Sequence, residues 1–151
     1  MKKLTKNNKG FSLVELIVVI AIMAVLVGVL APQLIKYVEK SRQATDIQNC
    51  DSIATTLKTY FSDKENLNGT VTVTVKNGAA IAYSVSVAGS GLDTKATTAL
   101  TDAGLKDTQL KGSKWTGSKI DIIYDSATGK VSYNAASDYY NATNATEIKP
   151  E

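Results

Sequence analysis

The sequence predicts an α+β protein, with one long N-terminal α-helix packed on a small antiparallel β-sheet of about four strands. Three observations carry this. Leu16 to Ile35 holds no ionisable side chain over twenty residues, enough at about 1.5 Å per residue to cross a hydrocarbon core of about 30 Å as a helix. From Lys36 to Phe61 the charges return, while Ile47, Cys50, Ile53, Ala54, Leu57, Tyr60 and Phe61 recur at spacings of three and four, which makes one apolar stripe. Beyond Ser62-Asp63-Lys64-Glu65-Asn66 the period falls to two, the signature of half-buried strands.

Taken in order, residues 1–10 form a basic leader, with Lys2, Lys3, Lys6 and Lys9 and no acid. Residues 11–35 are the apolar half of the helix and 36–61 its amphipathic half, together roughly 75 Å if continuous. Gly28 and Pro32 stand four apart within the apolar half, and proline cannot donate to the Gly28 carbonyl. A kink or weak turn is expected there, read either as a proline tolerated in a membrane helix or as a turn that loosens when the helix leaves the bilayer.

Residues 62–151 are left for a β-rich domain with a polar tail. Thr70 to Val75 alternates strictly, Asn77-Gly78 marks a turn, and Ile81 to Val87 alternates again. A plain two-residue loop would set Val75 opposite Ala80 and turn Ile81, Tyr83 and Val85 to the threonine face. A longer loop or a bulge is therefore expected to restore them to the valine face. Leu92 to Leu105, opened by Asp93 and closed by Gly104, reads as a short helix. A second hairpin runs from Lys119 to Tyr124, turns through Asp125 to Gly129, and returns over Lys130 to Tyr133. The tail from Ala135 to Glu151 is expected to be loop, with Tyr139 and Tyr140 as anchors. Trp115, Tyr124 and Tyr133 read as core, the alternative being an exposed recognition patch.

Charge gives little away. Of 17 Lys and Arg, four lie in the leader, so the rest of the chain has 13 against 14 Asp and Glu. The basic character is largely a property of the leader and gives no warrant for a nucleic-acid surface. Histidine is absent, and no metal-ligand spacing or phosphate-binding glycine loop occurs. No catalytic residue, metal site or cofactor is expected, and the chain is read as not an enzyme. Cys50 is the single cysteine, so no intrachain disulfide can form; it reads as a buried small apolar residue, the alternative being a bridge between subunits. Asn68, Asn141 and Asn144 open N-glycosylation triplets of the kind that arise by chance in an Asn- and Thr-rich chain.

The start of the chain is more telling. An ordinary secretory signal places its small-residue cleavage site after the apolar run, whereas here Gly10 precedes it. Lys9-Gly10-Phe11-Ser12-Leu13-Val14-Glu15-Leu16-Ile17 resembles the prepilins of the type IV pilins and pseudopilins at each defining position. The resemblance is specific over about Lys6 to Lys36 and thin afterwards; the lone cysteine departs from the disulfide-closed pattern of many Gram-negative pilins.

The resemblance implies a pilin-like fold, cleavage between Gly10 and Phe11, N-methylation of Phe11, and assembly into a helical filament of identical subunits. The partners it implies are a prepilin peptidase and methyltransferase, an inner-membrane platform protein and an assembly ATPase. The implied route is a single-pass cytoplasmic-membrane protein with its N-terminus in the cytoplasm, later a surface pilus. The lysines of the leader agree with that orientation, although Lys36, Lys40 and Arg42 beyond the span weaken the charge argument.

Independently of any family, a carboxylate inside a membrane helix costs about 2.5 to 3.5 kcal/mol on insertion scales and calls for a reason. Glu15 lies one helical turn from the amine that cleavage would create on Phe11, and pairing with it lowers the cost of both charges. The plainer alternative is that Glu15 snorkels to the headgroups. Three readings remain: a major pilin, a pseudopilin of a secretion or DNA-uptake machine, and an anchored binding protein that never polymerises. Whether such a filament serves motility, cell adhesion, biofilm formation or DNA uptake depends on motors and receptors outside this sequence.

Overall fold

A computed structural model describes residues 10–62, 69–85 and 91–151, with the backbone alone described over 83–85. The chain divides into two units, Met1–Tyr37 and Val38–Glu151. Helix α1 (Leu13–Ser62) supplies the described secondary structure of the first unit and the spine of the second.

In the second unit, α1 lays Cys50, Ile53, Ala54, Leu57 and Phe61 into a single core, with Ile47 and Tyr60 packed at its margin. These are the residues of the apolar stripe. They meet the inward face of a six-stranded antiparallel sheet whose order is β2-β1-β3-β4-β5-β6. The strands are β1 (Thr70–Lys76), β2 (Ala79–Val85), β3 (Lys119–Asp125), β4 (Lys130–Ala136), β5 (Tyr140–Ala145) and β6 (Lys149–Pro150). Val71, Val73 and Val75 point inward, as do Ile120, Ile122 and Tyr124, while the residues between them face out. Phe61 stacks on Tyr124 with ring centroids 5.2 Å apart.

The first hairpin carries the expected irregularity. Lys76 pairs with Ala79 across the turn, yet Thr74 pairs with Ala82 and Val73 with Tyr83, so β2 holds an extra residue between these pairs. That bulge brings Ile81 onto the buried valine face. Ser86 and Val87, also expected in this strand, lie outside the described residues.

Helix α2 (Leu92–Asp102) is three residues shorter than expected. Gly104 takes a left-handed conformation just past its end, and the Leu105 amide donates to the Leu100 carbonyl at 2.7 Å, which closes the last turn. Asp93 sits in the first turn without a side-chain capping bond; the N-cap is Gly91.

The C-terminal tail corrects the sequence expectation. Residues 135–151 are not loop: β4 continues to Ala136, and β5 and β6 extend the sheet, giving six strands where about four were expected. Tyr140, Ala142 and Ile148 are buried, and Asn141 and Thr143 face solvent. The period-two pattern is present, but alanine fills an inward position of β5, which makes the apolar signal faint. Trp115, Tyr124 and Tyr133 are all buried, so they form no exposed patch.

Candidate functional site

The described part of the first unit presents an apolar surface. Phe11 is 92% exposed, and the large apolar side chains from Leu13 to Ile35 are all exposed. By length and composition α1 contains a segment able to cross a membrane. A helix apolar on all sides is stable only when another apolar phase surrounds it, whether lipid or other helices.

Its start is built by local hydrogen bonds. Gly10, Phe11 and Ser12 are non-helical, and α1 begins at Leu13. The Ser12 amide donates to Glu15 Oε2 at 2.8 Å, and the Val14 amide lies 3.4 Å from Ser12 Oγ. The Glu half of a capping box is in place, the carboxylate three residues on accepting the amide of the N-cap Ser, while the Ser hydroxyl faces the amide of the second helical residue. The Ser-x-x-Glu spacing before an apolar run is its sequence signature, and sequence reading missed it by taking Glu15 only as a charge. The Gly10–Phe11 bond thus lies outside the helix, two residues before its first turn. Gly28 and Pro32 both lie within α1, and a Cβ at Gly28 would meet open space.

The second unit holds a feature that the sequence hides. Glu39, Gln43 and Asp46 extend the buried stripe of α1 by two turns, although all three are polar. They bind the connection between α2 and β3. Asp46 Oδ1 accepts the Lys111 amide at 2.7 Å, and Oδ2 accepts both the Gly112 amide and the Trp115 indole N–H at 2.8 Å. Glu39 Oε1 accepts the Ser113 amide at 2.6 Å, the Lys114 amide at 3.0 Å and Gln43 Nε2 at 3.2 Å. Gln43 Oε1 in turn takes the Ser137 hydroxyl at 2.8 Å, which ties the β4–β5 turn to the same helix.

Burying a carboxylate is costly unless donors replace its water. Here backbone amides supply most of them, and no buried side-chain polar atom among the described residues lacks a partner. Gly112 permits the approach, since a Cβ there would stand 2.6 Å from Gln43 Cγ and 3.0 Å from Asp46 Oδ2. Cys50 lies one turn further along α1, fully buried. Burial, followed by the nearby charges of Asp46 and Asp51, pushes its thiol far above the ordinary range. Tyr133 donates to Asp51 Oδ1 at 2.8 Å, and its phenol is likewise pushed up, first by burial and then by that bond.

Comparison with known proteins bears on the N-terminal segment. Residues 5–31 match the family described as the prokaryotic N-terminal methylation motif. Over 65 residues the chain is 32% identical to the type IV major pilin protein PilA of Myxococcus xanthus (strain DK1622). The match covers 43% of this chain and 30% of that relative, so the chain spans less than a third of its length. No solved structure matches. The chain therefore carries the prepilin-type N-terminal motif on an α+β fold consistent with that of the type IV pilins.

Proposed function

We propose that this chain is the major structural subunit of a type IV pilus. It is made as a prepilin, anchored by residues 11–35 in the cytoplasmic membrane with its N-terminus in the cytoplasm. A prepilin peptidase cuts after Gly10, the new amine of Phe11 is methylated, and subunits polymerise through their apolar helices into a surface filament. The platform protein and assembly ATPase act from outside the chain. The single observation that carries this reading is the site itself: a scissile bond outside the helix, a capped helix start, and one carboxylate at the head of an otherwise uncharged span.

Glu15 has two roles in this account. Its Oε2 caps the Ser12 amide within the subunit, and its charge pairs with a Phe11 ammonium. The two separate by substitution. Glutamine keeps a carbonyl acceptor for the Ser12 amide but has no charge. Glu15→Gln subunits expressed alone are expected to enter the membrane and be cleaved, yet to yield few sheared filaments, the outcome expected of Glu15→Ala as well. Filaments at the parental yield from Glu15→Gln, with loss only in Glu15→Ala, would reduce Glu15 to a cap and overturn the charge-pairing role.

A further inference from the structure

The connection held by Glu39 and Asp46 turns the amides of Lys111 and Lys114 inward and leaves the side chains of these two lysines outside. Lys111 and Lys114 are exposed while their own amides are bound to the buried carboxylates. On α1, Lys40 and Arg42 are exposed as well. At about 100° per residue they flank the Glu39–Gln43–Asp46 face on its two sides. Lys76 lies at the margin, where its carbonyl accepts the Leu110 amide at 3.0 Å and its Cα faces that of Lys119 across the ladder. Lys119 is paired with Asp121 at 2.6 Å, whereas none of the other five cations has a carboxylate within ion-pair distance among the described residues. Four exposed cations thus flank two carboxylates that are turned inward and already occupied, with Lys76 at the margin.

We propose that Lys40, Arg42, Lys111 and Lys114, with Lys76 beside them, form a cationic rim that rests on anionic phospholipid headgroups while the apolar helix is in the bilayer. The proposal rests on the membrane-anchored stage of the reading above. Glu39 follows Ile35, the end of the apolar span, by four positions, a length of chain that reaches at most about 14 Å whatever its course. Glu39, with the Ser113 and Lys114 amides bound to it, therefore stays within that reach of the end of the span. A solvated cluster of Lys and Arg beside a span is the arrangement that anionic lipid attracts, within about one Debye length of the surface. A nucleic acid fits less well, because Trp115, the one aromatic in the connection, is buried and offers no stacking platform. Held this way, the domain would leave the membrane more readily once the headgroup charge is screened or replaced.

The test uses the full-length chain reconstituted in vesicles of phosphatidylcholine alone or with phosphatidylglycerol. Lysines are acetylated with a membrane-impermeant reagent and the products read by mass spectrometry. Within each molecule, labelling of Lys40, Lys111 and Lys114 is divided by that of Lys95 and Lys130, which lie on α2 and β4. The anionic vesicles are expected to lower this ratio roughly threefold or more, and about 1 M salt, where the screening length is about 3 Å, to restore it. In Lys111→Gln/Lys114→Gln the ratio for Lys40 alone should change much less. Equal ratios in both vesicles, or protection brought by duplex DNA in neutral vesicles and not by anionic lipid, would overturn the proposal. Alkaline extraction of the same vesicles reads insertion separately: a chain that resists extraction but shows equal ratios lacks the rim, whereas a chain that is extracted lacks the anchor.

Discussion

At the scale of single residues, Asp46 holds more of the second unit together than any one apolar side chain suggests. Its two oxygens satisfy two backbone amides and the Trp115 indole. Asp46→Ala leaves two buried donors and one part-buried donor without this partner, the buried ones worth about 1 to 3 kcal/mol each, and is expected to cost at least about 2 kcal/mol. Trp115→Phe removes one of the three bonds and should cost less. Gly112→Ala is expected to cost about 1 to 3 kcal/mol, because a Cβ at 2.6 Å from Gln43 Cγ forces the helix side chain or the connection to shift. Thermal unfolding of the full chain in detergent micelles, followed by near-ultraviolet circular dichroism, checks the order. An Asp46→Ala protein as stable as the parent would mean that water replaces the carboxylate, and that the connection is not held by it.

At the scale of elements, α1 performs different work along its length. The uncharged, almost wholly apolar run from Leu16 to Ile35 suits lipid or a bundle of like helices, and the stripe from Glu39 onward suits a sheet. Pro32 removes one hydrogen bond from the first of these segments. Restoring it with Pro32→Ala is expected to give filaments that extend less under the same load, measured by single-filament pulling; unchanged extension would leave the proline a tolerated residue.

The helix, its stripe and the bulged first hairpin were legible in the sequence because each follows a strong period. The valines of β1 could be kept with Ile81 only by an extra residue, and β2 holds one. Two features were not legible. Glu39, Gln43 and Asp46 continue the stripe at the right spacing, but their polarity reads as solvent exposure until the partner amides, 65 to 75 residues away, are seen. The last two strands were missed because Ala142 fills an inward position with little apolar weight and β6 is two residues long.

At the scale of the molecule, alkaline pH should loosen the second unit. Cys50 and Tyr133 both have folded pKa values raised above their unfolded ones. Their contribution is fully present below the unfolded values, near about 8.5 for Cys and about 10 for Tyr. It is lost as pH rises beyond them, because the unfolded chain releases protons that the folded one keeps. Stability is expected to fall above about pH 9 with a slope approaching 1.4 kcal/mol per pH unit for each group. Cys50→Ala should flatten the first part of that fall, and the parental thiol should react with alkylating reagents only after unfolding. A thiol that reacts in the folded chain at neutral pH would contradict its placement against α1's sheet partner.

Whether this chain builds a filament turns on what happens at Gly10 and Phe11. Mass spectrometry of the N-terminus, in material sheared from cells, tests it most directly. The expected species begins at N-methylated Phe11 and is found in the sheared fraction, which joins processing to surface assembly in one observation. Intact Met1 confined to the membrane fraction would mean that α1 is an anchor and that the chain builds no filament.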